Sequence, residues 1–246
     1  MEKTSERSFF SNGREKLKVR LQKVEKEVEK VTNALKEQPI PKRIPISVVS
    51  GLSSFIVYWT FILFSFALYP GVFNPFNQMM SDLGSFSQNP TGALFFSVGC
   101  ILTGIAFFPF FIGLYEWYIG GLRNKILTIL TQISGIFCAI CIIMIGLVSI
   151  DNFYAHTFWA VNFFTASAFT TLFPSIALYK YKFTRNTAKF GFFASAVNLA
   201  FRFFLLVPIF EWLTIILSFI YIILIISSMQ RRIKKFRTVR RAKIKV

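Results

Sequence analysis

Ser81, Asp82, Asp151 and His156 are the residues of this chain whose types suit proton transfer or nucleophilic chemistry. A carboxylate and an imidazole can share acid and base roles, as Asp151 and His156 would in a membrane-embedded hydrolase or lipid-modifying enzyme, and Ser81 would supply a nucleophile. Ser81 lacks the strained turn that usually presents such a serine. His156 is the only histidine, so the several imidazoles of a zinc site are missing, and no metal or cofactor is expected. Asp82 and Asp151 fall outside the apolar runs, where they cannot face one another as an aspartyl dyad does. Cys138 and Cys141 have the spacing of a thiol redox pair, but both lie inside an apolar run, where small packing residues are expected. Binding is the other chemistry these residue types allow. Asn74, Ser81, Asp82, Asp151, His156, Asn198 and Arg202 form the expected set, suited to a lipid headgroup or a small solute. Arg202 is the only basic residue within an apolar run and needs a partner. Pairing with Asp82, Asp151 or Glu211 is expected, and outward reach to lipid phosphate is the other option.

The elements that must position these residues follow from hydropathy. Of 246 residues, 54% are hydrophobic, 32 are Phe and only 16% are charged, which is too apolar for an ordinary soluble domain. Six stretches, at about 46–69, 91–118, 126–150, 157–180, 189–209 and 212–229, have the length that a helix needs to cross a bilayer core. All but Arg202 of the 28 Lys and Arg residues fall before the first stretch, after the last, or in alternate connections and the stretch ends that border them, where Lys180 and Lys189 stand. The intervening connections, 70–90, 151–156 and 209–211, hold no basic residue but carry Asp82, Asp151, His156 and Glu211. The positive-inside rule then sets both termini in the cytoplasm. The expected fold is therefore all-α: a polytopic membrane protein with a six-helix transmembrane bundle, located in the cell membrane if the source is prokaryotic. The formal charge of +17 follows from this topology and from attraction to anionic inner-leaflet lipid, which removes the need for a nucleic-acid partner.

Three regions are expected: a charged cytoplasmic segment at 1–45, the membrane domain at 46–229 and a basic tail at 230–246. Within 14–37, Leu17, Leu21, Val24, Val28, Val31 and Leu35 make an unbroken heptad stripe. Either a coiled coil, giving a homo-oligomer or a protein partner, or an amphipathic helix on the membrane face accounts for it. In the tail, Arg231, Arg232, Lys234, Lys235, Arg237, Arg240 and Arg241 read as a membrane-surface anchor. The segment 69–90 is long, aromatic and rich in turn formers, and is expected to fold as a lid over the outer end of the bundle. Ser81 is placed to cap a short helix starting near Asp82.

Asn74-Pro75, then Ser81-Asp82-Leu83-Gly84, then Gly146-Leu147 followed by Asp151 and His156, resemble the motifs of domain-of-unknown-function family 998. These are six-span membrane proteins found chiefly in archaea and bacteria, similar at a greater distance to DRAM-type proteins. The resemblance covers about residues 46–229 and implies fold and topology, with no established activity. Three readings of function follow: a non-enzymatic membrane protein with an outer-face polar pocket, an Asp151/His156 enzyme, and a scaffold that presents the cytoplasmic helix.

Overall fold

The computed structural model describes Gln22 and residues 44–118, 120–203 and 207–244. The chain divides into two units, Met1–Pro41 and Lys42–Val246. The heptad segment 14–37 lies outside the described residues apart from Gln22, an exposed helical residue that is not part of the apolar stripe. In the second unit the regular elements among the described residues are helices: α1 Ile46–Ala67, α2 Gly92–Gly113, α3 Leu122–Leu147, α4 Phe153–Tyr179, α5 Arg185–Phe203 and α6 Pro208–Ile244. Short 3-10 turns occupy Met80–Gly84 and Leu114–Trp117. From α1 to α5 each helix packs mainly on its neighbours in sequence, while α6 lies against α5 and touches α1 and α4.

Five of the six helices, all but α5, are long and apolar enough to cross a membrane. In α5, Arg185, Lys189, Asn198 and Arg202 interrupt a 19-residue helix and lower its hydropathy. The surface confirms the membrane setting. Ile56, Leu63, Ile105, Ile133 and Phe193 are all more than half exposed, a distribution suited to lipid and costly in water. Hydroxyls within the helices turn back on their own carbonyls, as in Ser50 to Ile46, Thr131 to Leu127 and Ser175 to Thr171. Such bonds satisfy groups that hydrocarbon cannot.

The last four helices each begin four residues before the corresponding apolar run. Hydropathy marks the apolar middle of a helix, whereas the hydrogen-bonded ladder continues through a polar first turn. His156 and Glu211, expected in connecting loops, therefore stand in the first turns of α4 and α6. The last helix also runs without a break past residue 229 to Ile244, so the expected tail continues the final span. Arg231 is exposed; the side chains of Arg232, Lys234, Lys235, Arg237, Arg240 and Arg241 lie outside the described residues.

Aromatic rings fill the centre. Phe219 on α6 meets Tyr58 of α1 at 5.0 Å between centroids and Phe107 of α2 at 6.2 Å. Against that bulk, α2 and α3 approach closely at Gly146, where an added Cβ would lie 2.6 Å from the Ser97 carbonyl oxygen and 3.0 Å from Cys100 Cβ. A backbone oxygen cannot yield as a flexible side chain does. Gly146→Ala is expected to cost about 1–3 kcal/mol through overpacking. Thermal melting of the detergent-solubilised protein reads this, and an unchanged midpoint would show that the helices part freely there.

Candidate functional site

The connection between α1 and α2 is held by three polar anchors. Asn89, fully buried, donates from Nδ2 to the Leu83 carbonyl at 2.9 Å and to the carbonyl and hydroxyl oxygens of Ser65 at 3.2 Å. Its Oδ1 accepts from the Gly92 N–H, so one side chain joins the end of α1, the loop and the start of α2. Asp151 supplies the second anchor. Its carboxylate accepts from the Ser85 and Ser87 hydroxyls at 2.7 Å, the Phe86 N–H at 2.8 Å and the Ser149 hydroxyl at 2.9 Å. The Ser149 hydroxyl lies equally close to the Gly84 carbonyl, at 2.9 Å, so its one hydrogen is shared between the two acceptors.

Glu211 is the third anchor and the one least visible in the sequence. It is buried in the first turn of α6, and its Oε2 accepts the Met80 N–H at 2.8 Å across 131 residues of chain. Ser81, which follows Met80 in the turn, lies against the same carboxylate. Next to it, Trp212 Nε1 donates to the Gln78 carbonyl at 3.4 Å. Amides at the start of a 3-10 turn have no partners within the turn, and a carboxylate satisfies them. Ser81 does not cap the turn as expected; Asp82 does, accepting the Met79 N–H at 2.7 Å, while Ser81 is drawn to Glu211. Burial pushes the Asp82 carboxyl above the usual carboxylate range, against the opposing pull of the Met79 N–H and of nearby His156.

His156 is 1% exposed. Its Nδ1 lies 2.6 Å from the Val148 carbonyl oxygen, which can only accept, so Nδ1 carries a hydrogen, and in the neutral ring Nε2 is then an acceptor. Nε2 is buried and has no hydrogen-bond partner. His156 borders a cavity of about 30 Å³ whose wall includes Tyr58, Ser81, Cys100 and Glu211, enough for one or two water-sized groups. The Tyr58 hydroxyl is spent on Met80 Sδ at 3.0 Å. Two acceptors, an imidazole nitrogen and a carboxylate, therefore border one small buried space.

A family model described as a protein of unknown function, DUF998, matches residues 53–228. The chain belongs to the DUF998 family. Comparisons with curated proteins and with solved structures give no match. The DUF998 match takes in all three anchors and His156, and leaves out the heptad segment and the basic tail.

The residues singled out from sequence do not converge on one point. Ser81 and His156 border the cavity with Glu211, and Asp82 lies near His156 without lining it. Asp151 is exposed and bound to serines, and His156 turns its Nδ1 to a backbone carbonyl, so the two do not form an acid/base pair; Ser81 lies against Glu211. Asn74 is exposed and shapes the loop by accepting the Phe76 N–H at 3.0 Å. Asn198 lies deeper, fully buried, donating to the Ala194 carbonyl at 2.9 Å and to the Ser218 hydroxyl at 3.3 Å. Arg202 stands apart, its guanidinium 5.1 Å over the Phe203 ring, while the carboxylates it was expected to meet bond the outer loop instead. Among the described residues no three His, Cys, Asp or Glu side chains are grouped to hold a metal ion.

The sequence signals for Asn89 and Glu211 are weak. Asn89 precedes Pro90, where it reads as a turn residue, and Glu211 sits between two apolar runs, where it reads as a loop charge.

Asp151 gives the site a pH dependence. Desolvation opposes its ionisation, but the hydrogen bonds from Ser85, Ser87, Ser149 and Phe86 outweigh it and hold the carboxyl well below the ordinary 3.8. A depressed folded value stabilises fully above the unfolded one and loses that stabilisation as pH falls further. The native melting midpoint is thus expected to fall as pH drops below the ordinary carboxylate value, and Asp151→Ala to remove part of that fall. Parallel pH profiles for the two proteins would show that the serine cluster does not depend on the charge.

Proposed function

We propose that this DUF998 protein is a non-enzymatic membrane protein of six spans with both termini in the cytoplasm, and that the cavity beside His156 binds a hydrogen-bond donor group of a lipid headgroup or small solute. The membrane is the cell membrane if the source is prokaryotic. The observation that carries the binding reading is the orphaned, buried Nε2 of His156. A polar atom left without a partner in an apolar interior is costly, and here the space beside it is also bordered by the Glu211 carboxylate. Two acceptors call for a donor, such as a hydroxyl or an ammonium. The site thus differs in composition from the sequence expectation: Glu211 replaces Asp151 and Arg202 as the companion of His156. For the spans, α5 is the sixth crossing, because basic residues flank its first turn and none lies in the 151–156 or 209–211 connections. The basic tail from Arg231 rests on anionic inner-leaflet lipid, and the heptad segment at 14–37 joins copies of the chain or a protein partner.

Topology is read by single-cysteine variants on a background in which Cys100, Cys138 and Cys141 are replaced. Ser87→Cys is expected to react with a membrane-impermeant maleimide from outside intact cells, and Lys182→Cys only after lysis. Both reacting from the same side would break the alternation.

The binding reading has an unusually clean probe, because histidine occurs once. Isotope labelling of histidine nitrogen gives one ring to observe in nanodiscs. The expected result is a hydrogen on Nδ1 and an Nε2 resonance that moves when butanol or butylamine is added. An Nε2–H tautomer, or a ring indifferent to both probes, would reject the site.

A further inference from the structure

The polar groups that border the cavity of His156 have little left to donate. His156 gives its Nδ1 hydrogen to Val148, the Tyr58 hydroxyl gives its hydrogen to Met80 Sδ, and the Met80 N–H goes to Glu211. Ser81 lies against the Glu211 carboxylate, and the Cys100 thiol is only a weak donor. Acceptor capacity is left over. The second nitrogen of the imidazole has no partner, and a carboxylate has about four lone-pair sites, of which the turn occupies a part.

The same space carries negative charge. Glu211 brings a carboxylate to its wall, Asp82 stands near enough for its charge to bear on both Glu211 and His156, and among the described residues no Lys or Arg lines the cavity. Two larger cavities, of about 40 and 90 Å³ and both bordered by Pro174, have no Asp, Glu, His, Lys or Arg in their walls. Of the three, the outer one alone pairs a buried carboxylate with an unpartnered buried acceptor.

Size, hydrogen count and charge together select the occupant. About 30 Å³ takes one or two water-sized groups. A hydroxyl donates one hydrogen, so it serves the imidazole or the carboxylate but not both, and it brings lone pairs to a wall short of donors. Water serves both and brings the same surplus of lone pairs. Potassium has the charge but no hydrogen, and is held by oxygen ligands. An ammonium nitrogen has hydrogens for both acceptors, no lone pair, and a charge opposite to that of Glu211. Phe96, Phe163 and Phe164 complete the wall, and aromatic rings are apolar neighbours that a cation tolerates. We propose that the donor group taken up in the cavity of His156 and Glu211 is cationic: an ammonium nitrogen, as the free ion or as the terminal NH3+ of a lipid headgroup. This rests on the donor site proposed above and narrows its ligand from donors in general to ammonium.

The single histidine again supplies the readout. Full-length protein with isotope-labelled histidine nitrogen is placed in phosphatidylcholine nanodiscs, whose headgroups have no N–H. The His156 Nε2 resonance is followed at neutral pH and constant ionic strength as KCl is exchanged for NH4Cl, with methanol titrated separately. Ammonium is expected to move the resonance saturably at a concentration about tenfold or more below that needed for methanol, because a charge-assisted hydrogen bond is the stronger. Glu211→Gln keeps an acceptor for the Met80 N–H while removing the charge, and is expected to abolish that preference. The comparison on the native protein needs no variant, so it decides the matter should Glu211→Gln not fold. Phosphatidylethanolamine in the nanodisc separates the two sources: a shift present before any ammonium is added assigns the site to a headgroup, and a shift only with NH4Cl assigns it to the free ion. Equal response to methanol and ammonium, no change on exchanging potassium for ammonium while methanol acts, or a preference that survives Glu211→Gln would overturn the cationic ligand and leave the donor site standing. If the resonance is indifferent to ammonium, methanol, butanol and butylamine alike, both fail.

Discussion

Glu211 carries a charge-bearing group into the bundle, and the outer architecture is organised around that cost. A carboxylate removed from water must be given hydrogen bonds, and those nearest are the free amides that open the Met80–Gly84 turn. Satisfying them fixes the turn over the start of α6, and with the turn come Asp82, Ser81 and Leu83. Each partner solves the other's problem: the turn has donors without acceptors, and the carboxylate has lone pairs without donors. The contact joins the first outer loop to the last helix, 131 residues away, so it also brings the two ends of the membrane domain together.

The other outer polar groups divide into those that hold the loop and the one that does not. Asn89 uses both ends of its amide on three segments, and the Asp151 carboxylate is filled by serines and a backbone N–H. Neither has capacity left for a ligand of any size. His156 is different because its inner nitrogen is held by Val148 and its outer nitrogen is given nothing. Among the described residues Thr103 Oγ1, Asn198 Oδ1 and His156 Nε2 are buried without a partner, and of these three residues His156 alone borders one of the three cavities, which is the feature that calls for an occupant.

Much of the fold was legible in the chain. Apolar length marks membrane helices because each must satisfy its own backbone, and that requirement acts residue by residue along the sequence. Helix ends were less legible, since a polar first turn such as 208–211 looks like a loop to hydropathy alone, which is why Glu211 was expected at the surface rather than buried. Charge alone was a poor guide to pairing. Arg202 and the carboxylates of Asp82, Asp151 and Glu211 are of opposite sign, yet Asp151 finds serines two and sixty-odd positions away, and Arg202 lies over Phe203.

The sequence by itself determined that this is a helical membrane protein with Asp82, Asp151, His156 and Glu211 in connections that hold no basic residue, because hydrophobic length and charge distribution are properties of the chain read in one dimension. Only the tertiary structure decided which of those residues meet. Glu211 with Met80, Asp151 with Ser85 and His156 with Val148 are matched by hydrogen-bond geometry, and the first two pairs come together only once the helices have packed. The cavities beside them arise in the same way, from how large rings and a proline fill the space between helices, and a sum over residue types does not contain that information.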